Sequence, residues 1–263
     1  MITILVWSER LLALAIFFQT IEMMQLRPLW SDLGIWRWST LQKDFSSMPA
    51  GIPKLFDFLF KEKSFQSLLW IRLIAAFSVW IIPPGTIIMA ILFFTTWLIP
   101  IRWRGLFNGG SDSMTALVAF ALWIAQSFSS HEGIVKACFA YIAVQVTASY
   151  FIAGIVKAKN HEWREGFALP IFFKTPRYDS PPEWAKRFFD HPVRAQWASN
   201  LIIIFECTFP IAWLNPQLCI AYLVAAFLFH VLNFWIFGLN RFVFAWLAGY
   251  PALYYMSTLL TRP

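Results

Sequence analysis

Apolar runs, each about long enough to cross a bilayer, recur along the chain and are separated by Pro, Gly and Asn. A bilayer core takes roughly 20 mostly apolar residues per helix. Eight runs meet that requirement: Ile2–Met24, Phe65–Ile82, Thr86–Ile101, Met114–Phe128, Val135–Val156, Trp197–Leu214, Leu218–Phe237 and Phe242–Leu260. Pro83-Pro84-Gly85 separates the second run from the third, and Asn215-Pro216 turns the sixth into the seventh. The runs are continuous and do not alternate apolar with polar, so they predict helices rather than the strands of a barrel. The expected fold is all-α, a polytopic integral membrane bundle of about eight transmembrane helices. No small-residue cleavage site follows the first run, which reads as a span and not as a removable signal.

Composition supports this. Of 263 residues, 59% are hydrophobic and only 13% charged, whereas a soluble chain carries about 25% charged residues. That excludes a soluble enzyme, a disordered tail and a secreted disulfide scaffold. Fifteen Trp and 28 Phe suit the membrane–water boundary. The net charge of +7 falls in the connections and fits an anionic membrane surface. Basic residues are not interleaved with aromatics as on an RNA-binding face, so lipids and not nucleic acid are the expected partners. Cys138, Cys207 and Cys219 sit in apolar runs and read as buried thiols. There is no fixed-period repeat, and residues 1–263 read as one domain. The connections 27–63 and 158–195, rich in Trp and Pro, read as segments lying in the interface.

Ionisable groups inside spans are expensive unless paired or wet. Glu9, Arg10, Glu22, Arg72, Glu206 and His230 are of this kind. Helix-to-helix pairing accounts for Glu22 and Arg72, and Glu9 and Arg10, about 100° apart on a helix, need not pair with each other. For Glu206 and His230 a functional role stands beside that structural one. Lys157 closes the fifth run. It is either a lysine snorkelling to the interface or a partly buried amine available as a base. Gly154 is either a packing glycine or a point of close approach for a ligand. The pairs His131-Glu132 and His161-Glu162 lack zinc-protease spacing, and the chain carries no recognisable metal site, phosphate loop or Ser/His/Asp set.

Residues 149–167 read SYFIAGIVKAKNHEWREGF. This segment resembles the signature of the vitamin K-dependent gamma-carboxylase superfamily, also called the horizontally transferred transmembrane (HTTM) domain, through Tyr150, Phe151, Ala153, Gly154, Lys157, Trp163 and Gly166. A second stretch is similar through Phe229, His230, Val231, Leu232, Asn233, Phe237, Phe242, Leu247, Ala248 and Pro251, with Glu206 at the place of the family's acidic residue. A third is Asn108 to Asp112, where the carboxylase has a histidine and this chain has none. The resemblance covers roughly residues 105–252.

The resemblance implies that Lys157 is the base that deprotonates a reduced, vitamin K-like quinone. Oxygen then converts the quinol anion to a stronger base, which takes the gamma proton of a peptide glutamate before carbon dioxide adds. This is carboxylase-like chemistry of the lyase or ligase kind. A lysine in an apolar pocket suits it, because a general base works best with a pKa near the working pH. Glu206 and His230 would shape or polarise the pocket, with Tyr150, Gly154, Trp163, Asn233 and Asn108 on the substrate. The Lys157 ammonium is then expected to point inward, to a cavity lined by spans four to seven. Glu206 and His230 are expected in the bundle interior, sharing a cavity without direct contact. The other reading is non-catalytic: a membrane factor for maturation or export of a secreted peptide, as in the branch of the family that serves the sporulation-delaying toxin.

With eight spans, the connections after spans one, three, five and seven share one side of the membrane. They hold 17 of the 21 Lys and Arg residues; the opposite side holds Lys136 and Arg262. By the positive-inside rule the long connections face the cytoplasm of a bacterial-type inner membrane and both termini lie outside. An impermeant thiol reagent applied to intact cells should therefore label Thr261→Cys and spare Ser180→Cys. The reverse pattern would invert the orientation.

Overall fold

The computed structural model describes residues 1–49, 51–103, 105, 109–174 and 182–261; Asn108 and Ser180 fall outside these. Every regular element among the described residues is helical. They gather into two compact units, Met1–Cys138 and Phe139–Pro263.

The first unit holds α1 (Ile2–Gln25), the short α2 (Arg27–Trp30) and α3 (Trp38–Leu41), α4 (Gly51–Phe60), α5 (Glu62–Ile81), α6 (Thr86–Trp103) and α7 (Gly110–Ser127). Helix α8 (Glu132–Lys159) contains the boundary between the units. The second unit adds α9 (His161–Arg164), α10 (Ala168–Lys174), α11 (Glu183–Phe189), α12 (Pro192–Cys207), α13 (Pro216–Phe237), α14 (Asn240–Leu247) and α15 (Tyr250–Leu260).

The helix ends follow local chemistry. Ile82 is extended, with φ −123° and ψ 151°, as expected of a residue before proline, and α5 stops there. The Asn215 side chain accepts from Leu218 N–H at 2.8 Å, with Pro216 in the first turn of α13, which is an N-cap followed by a pre-set helical φ. Gly238 closes α13 in the left-handed region at φ 70°.

Among the described residues five helices are long and apolar enough to cross a membrane: α1, α5, α6, α8 and α13. This is fewer than the eight runs of the sequence, and each shortfall has a cause. The fourth run folds as α7, whose first turn carries Gly110, Ser111 and Asp112. The sixth stops at Cys207: the Thr208 hydroxyl donates back to Ile204 O at 2.6 Å, and a 3-10 turn over Phe209–Trp213, holding Pro210, follows. The eighth breaks at Ala248-Gly249 into helices of 8 and 11 residues. The apolar surface left outward is large. The most hydrophobic stretch of α13 has a mean hydropathy of 2.0 and is only 11% buried, with Leu228, Leu232 and Trp235 exposed. Such a face fits lipid and not water.

In the first unit α1 packs against α5, α6 and α7. Arg72 on α5 is 1% exposed. Its Nε donates to Thr20 Oγ1 at 2.9 Å, Nη1 to Thr96 Oγ1 at 2.7 Å and Nη2 to Gln19 Oε1 at 3.3 Å. Gln19 Nε2 in turn donates to Thr115 Oγ1 at 2.9 Å. The network joins α1, α5, α6 and α7 through hydroxyl and amide groups. Trp30 and Trp38 are core residues, 1% and 3% exposed, and so do not serve as interfacial anchors. Trp30 Nε1 donates to Met23 O and Trp38 Nε1 to Asp57 Oδ1, both at 2.7 Å. Leu33, Ile35, Leu55 and Phe58 of the same connection are exposed.

Glu9 is 0% exposed, and neither carboxyl oxygen has a hydrogen-bond partner. The neighbouring Arg10 guanidinium lies 5.7 Å from the Trp7 ring and 6.0 Å from that of Trp80. An unmatched buried polar group costs about 1–3 kcal/mol. Glu9→Met should therefore raise stability by about that amount, read as a higher melting temperature in detergent micelles. A fall would mean that the carboxyl has a partner in the membrane.

Candidate functional site

The site lies in the second unit and is set by one close approach. Where α8 meets α12, a Cβ on Gly154 would come within 2.6 Å of Cys207 N and 2.8 Å of Glu206 Cβ. No residue larger than glycine fits that contact as it stands. Lys157 follows three residues later, on the same side of α8, and reaches across to α12. Its Nζ donates to Glu206 Oε1 at 2.9 Å and Oε2 at 2.7 Å. The side chains are 18% and 4% exposed. Nζ also lies 5.2 Å from the centroid of the Trp163 ring, within range of a cation–π contact. Trp163 is held by a local cap: the Asn160 side chain accepts from Trp163 N–H at 3.2 Å and starts α9. Gly166, at φ 80°, abuts Gln196 of α12, where a Cβ would fall 2.5 Å from Gln196 Cα.

A cavity of about 270 Å³ collects Lys157, Glu206, His230, Tyr150, Trp163 and Asn233 on one wall system. Leu169, Phe172, Phe229, Phe242 and Trp246 supply much of the remainder. Asn233 is tied by Nδ2 to Phe229 O at 3.0 Å, which turns its carbonyl oxygen away from that bond. Tyr150 stacks on Phe209 with ring centroids 4.0 Å apart. Its hydroxyl lies 2.7 Å from His230 Nε2 and 3.0 Å from the Tyr250 hydroxyl. Trp246 packs 5.1 Å from the His230 ring and donates from Nε1 to Ser149 Oγ at 2.9 Å. His230 Nδ1 is buried without a partner.

Glu206 and His230 share the cavity, and no hydrogen bond joins them. The Lys157 ammonium turns into the cavity. The lining comes from the fifth to eighth runs and from residues 163–172, so the eighth run stands where the fourth was expected. Gly154 is not on the wall; it acts through the approach of α12. Asn108 lies outside the described residues. Tyr250, Trp246 and Asn160 carry the site but were not singled out in the sequence. The first two look there like ordinary interfacial aromatics, while the spacing Asn160-x-x-Trp163 is a readable cap signal. No protein-family model, curated protein or solved structure matches the chain.

A buried ion pair is stable as a pair and costly when halved. Removing one partner typically costs about 3–5 kcal/mol, while replacing both by apolar groups is near neutral. Lys157→Met and Glu206→Leu should each lower stability by that order, and the double variant should recover most of the loss. The check is a double-mutant cycle by thermal unfolding in micelles; additive losses would mean the two side chains do not interact.

Proposed function

We propose that this chain is a polytopic membrane protein of the HTTM, gamma-carboxylase-like type, with its long connections on the cytoplasmic side of a bacterial inner membrane. In this reading the cavity binds a lipophilic molecule with a quinone-like ring head and takes a proton from it. The supporting observation is the Lys157–Glu206 pair inside an aromatic-walled cavity. An apolar groove of about 410 Å³ between α12 and α13 shares Leu169, Ile202, Phe229, Asn233 and Phe237 with that cavity. Leu201 and Leu228, both exposed on the outer surface, line it further. A ring fits among the cavity aromatics and a hydrocarbon tail fits the groove, so entry from the lipid needs no aqueous path.

The residues present suit such a head: a buried, unmatched His230 Nδ1, the Asn233 amide and the Lys157 ammonium all stand at one cavity. A bound quinol would supply an acidic hydroxyl there. As an ammonium, Lys157 cannot accept a proton, and Glu206 answers this. The pair carries no net charge, so moving a proton from Lys157 Nζ to Glu206 Oε2 along the 2.7 Å bond leaves a neutral amine and a neutral acid. The amine then accepts the ligand's proton, and the resulting ammonium faces the anion left behind. Trp163 and Phe172 line the cavity, and a ligand that displaces water from between them strengthens both steps. A peptide is the substrate class that the carboxylase resemblance adds beyond this step.

The same bidentate pair also favours the second reading, a non-catalytic factor for a secreted peptide in which Lys157 and Glu206 only hold α8 to α12. Arginine separates the two. It keeps a bidentate bond to Glu206 but holds its proton at any working pH. If the protein is catalytic, Lys157→Arg should fold, quench like the wild type when 1,4-naphthoquinone is titrated against Trp163 and Trp246 fluorescence, and fail to rescue the gene-deletion phenotype. Full rescue at equal membrane abundance supports the structural reading. Absence of saturable quenching in the wild type removes the quinone-like ligand.

A further inference from the structure

The phenol pair behind the cavity decides which way His230 presents its proton. Tyr150 has one hydroxyl proton and two partners, His230 Nε2 at 2.7 Å and the Tyr250 hydroxyl at 3.0 Å. It therefore donates to one and accepts from the other. Tyr250 is 6% exposed and has Tyr150 as its partner, and it is not on the cavity wall.

Two arrangements satisfy Tyr150. In one, Nε2–H of His230 donates to Tyr150, Tyr150 donates to Tyr250, and the Tyr250 proton is stranded in packed protein. In the other, Tyr250 donates to Tyr150 and Tyr150 donates to Nε2. The proton without a partner is then Nδ1–H of His230, a buried atom on a residue that lines the cavity. Each direction strands one proton, but the first leaves the buried Nδ1 lone pair of His230 unmatched as well; one further unmatched buried group is disfavoured by roughly tenfold, so the second direction dominates.

We propose that Tyr250, acting through Tyr150, is a positioning residue that fixes His230 as an Nδ1–H donor. The cavity then reads an acceptor oxygen of its ligand, a carbonyl or a deprotonated hydroxyl, through His230. This assigns His230 to binding and charge stabilisation and leaves proton removal to the Lys157–Glu206 pair. A neutral imidazole that donates to a developing oxyanion is a known way of stabilising negative charge without a cation. The ligand half of the inference rests on the reading above; the direction of the phenol chain does not.

His131, His161 and His191 are exposed, so changing them to Asn leaves His230 as the sole histidine with the interior untouched. Two-bond nitrogen–proton correlation spectra of that ligand-free protein, labelled with ¹⁵N-histidine in micelles, report the tautomer. The Nδ1–H form should exceed the Nε2–H form by about tenfold or more. In Tyr250→Phe the competing arrangement strands the Tyr150 proton instead. Tyr150 itself lines the cavity, so the bias should collapse toward equal populations. A dominant Nε2–H form in the parent, or populations unchanged by Tyr250→Phe, overturns the proposal. With 1,4-naphthoquinone added, the Nδ1–H proton should move downfield. Quenching of the tryptophans without that movement sinks the donor role while leaving the ligand reading intact. No quenching sinks the ligand reading while the tautomer result stands.

Discussion

The candidate site depends on a backbone contact more than on any charge. At Gly154 the α8 backbone comes against Cys207 and Glu206 closely enough that a Cβ would overlap both. Only at that separation does a lysine one turn further along α8 place its Nζ 2.7 Å from Glu206 Oε2. Small residues at helix crossings are the usual means of close approach in lipid, where apolar side chains gain nothing by leaving one apolar medium for another. Here the crossing also converts two expensive buried charges into one net-neutral pair. Gly166 repeats the device on the next segment, where a left-handed backbone at φ 80° lets the chain sit against Gln196. The two glycines of the Tyr-Phe-x-Ala-Gly frame and its Trp-x-x-Gly tail thus both seat α12.

Buried polar groups in the two units meet different fates. Arg72 is met by Gln19, Thr20, Thr95 and Thr96, neutral acceptors that cost little to place in a span because each threonine hydroxyl can return its own proton to a backbone carbonyl, as Thr20, Thr95 and Thr96 do. Glu206 is met by a full counter-charge. Glu9 is met by nothing, and His230 is met on one nitrogen only. A half-met group at a cavity wall is what a binding site requires. A wholly unmet one costs stability.

The helical class and the main turns were legible because hydropathy and proline are local signals. Pro83-Pro84 and Asn215-Pro216 end and start helices where they stand in the chain. The sixth and eighth runs misled because continuity of apolar residues does not report backbone continuity. Thr208 and Pro210 interrupt the sixth run, and Ala248-Gly249 the eighth, without lowering hydropathy. Lys157, Glu206 and His230 were legible as ionisable residues at membrane depth, and Trp163 and Asn233 through the motifs around them. Tyr250 was not, because its part is settled by a hydroxyl partner a hundred positions away that no periodicity encodes. Trp30 and Trp38, in the connection 27–63, show the same limit from the other side. Tryptophan among charges suggests an interface, yet each finds an acceptor for its ring nitrogen inside the core.

The break at Ala248-Gly249 has a consequence for how such a cavity can change over evolutionary time. A Cβ on Gly249 would fall 2.6 Å from Val146 Cγ2, a side-chain contact, whereas Gly154 and Gly166 meet backbone atoms of α12. With two backbone seats, at Gly154 and Gly166, the approach of α12 is fixed by main chain, while the contact at Gly249 can change with the side chain at Val146. What drift can alter is the upholstery: Leu169, Phe172, Phe229 and Phe242 line the cavity. Descendants of one ancestral frame would accordingly keep the Lys157–Glu206 pair at the same depth while diverging in the shape of the cavity around it.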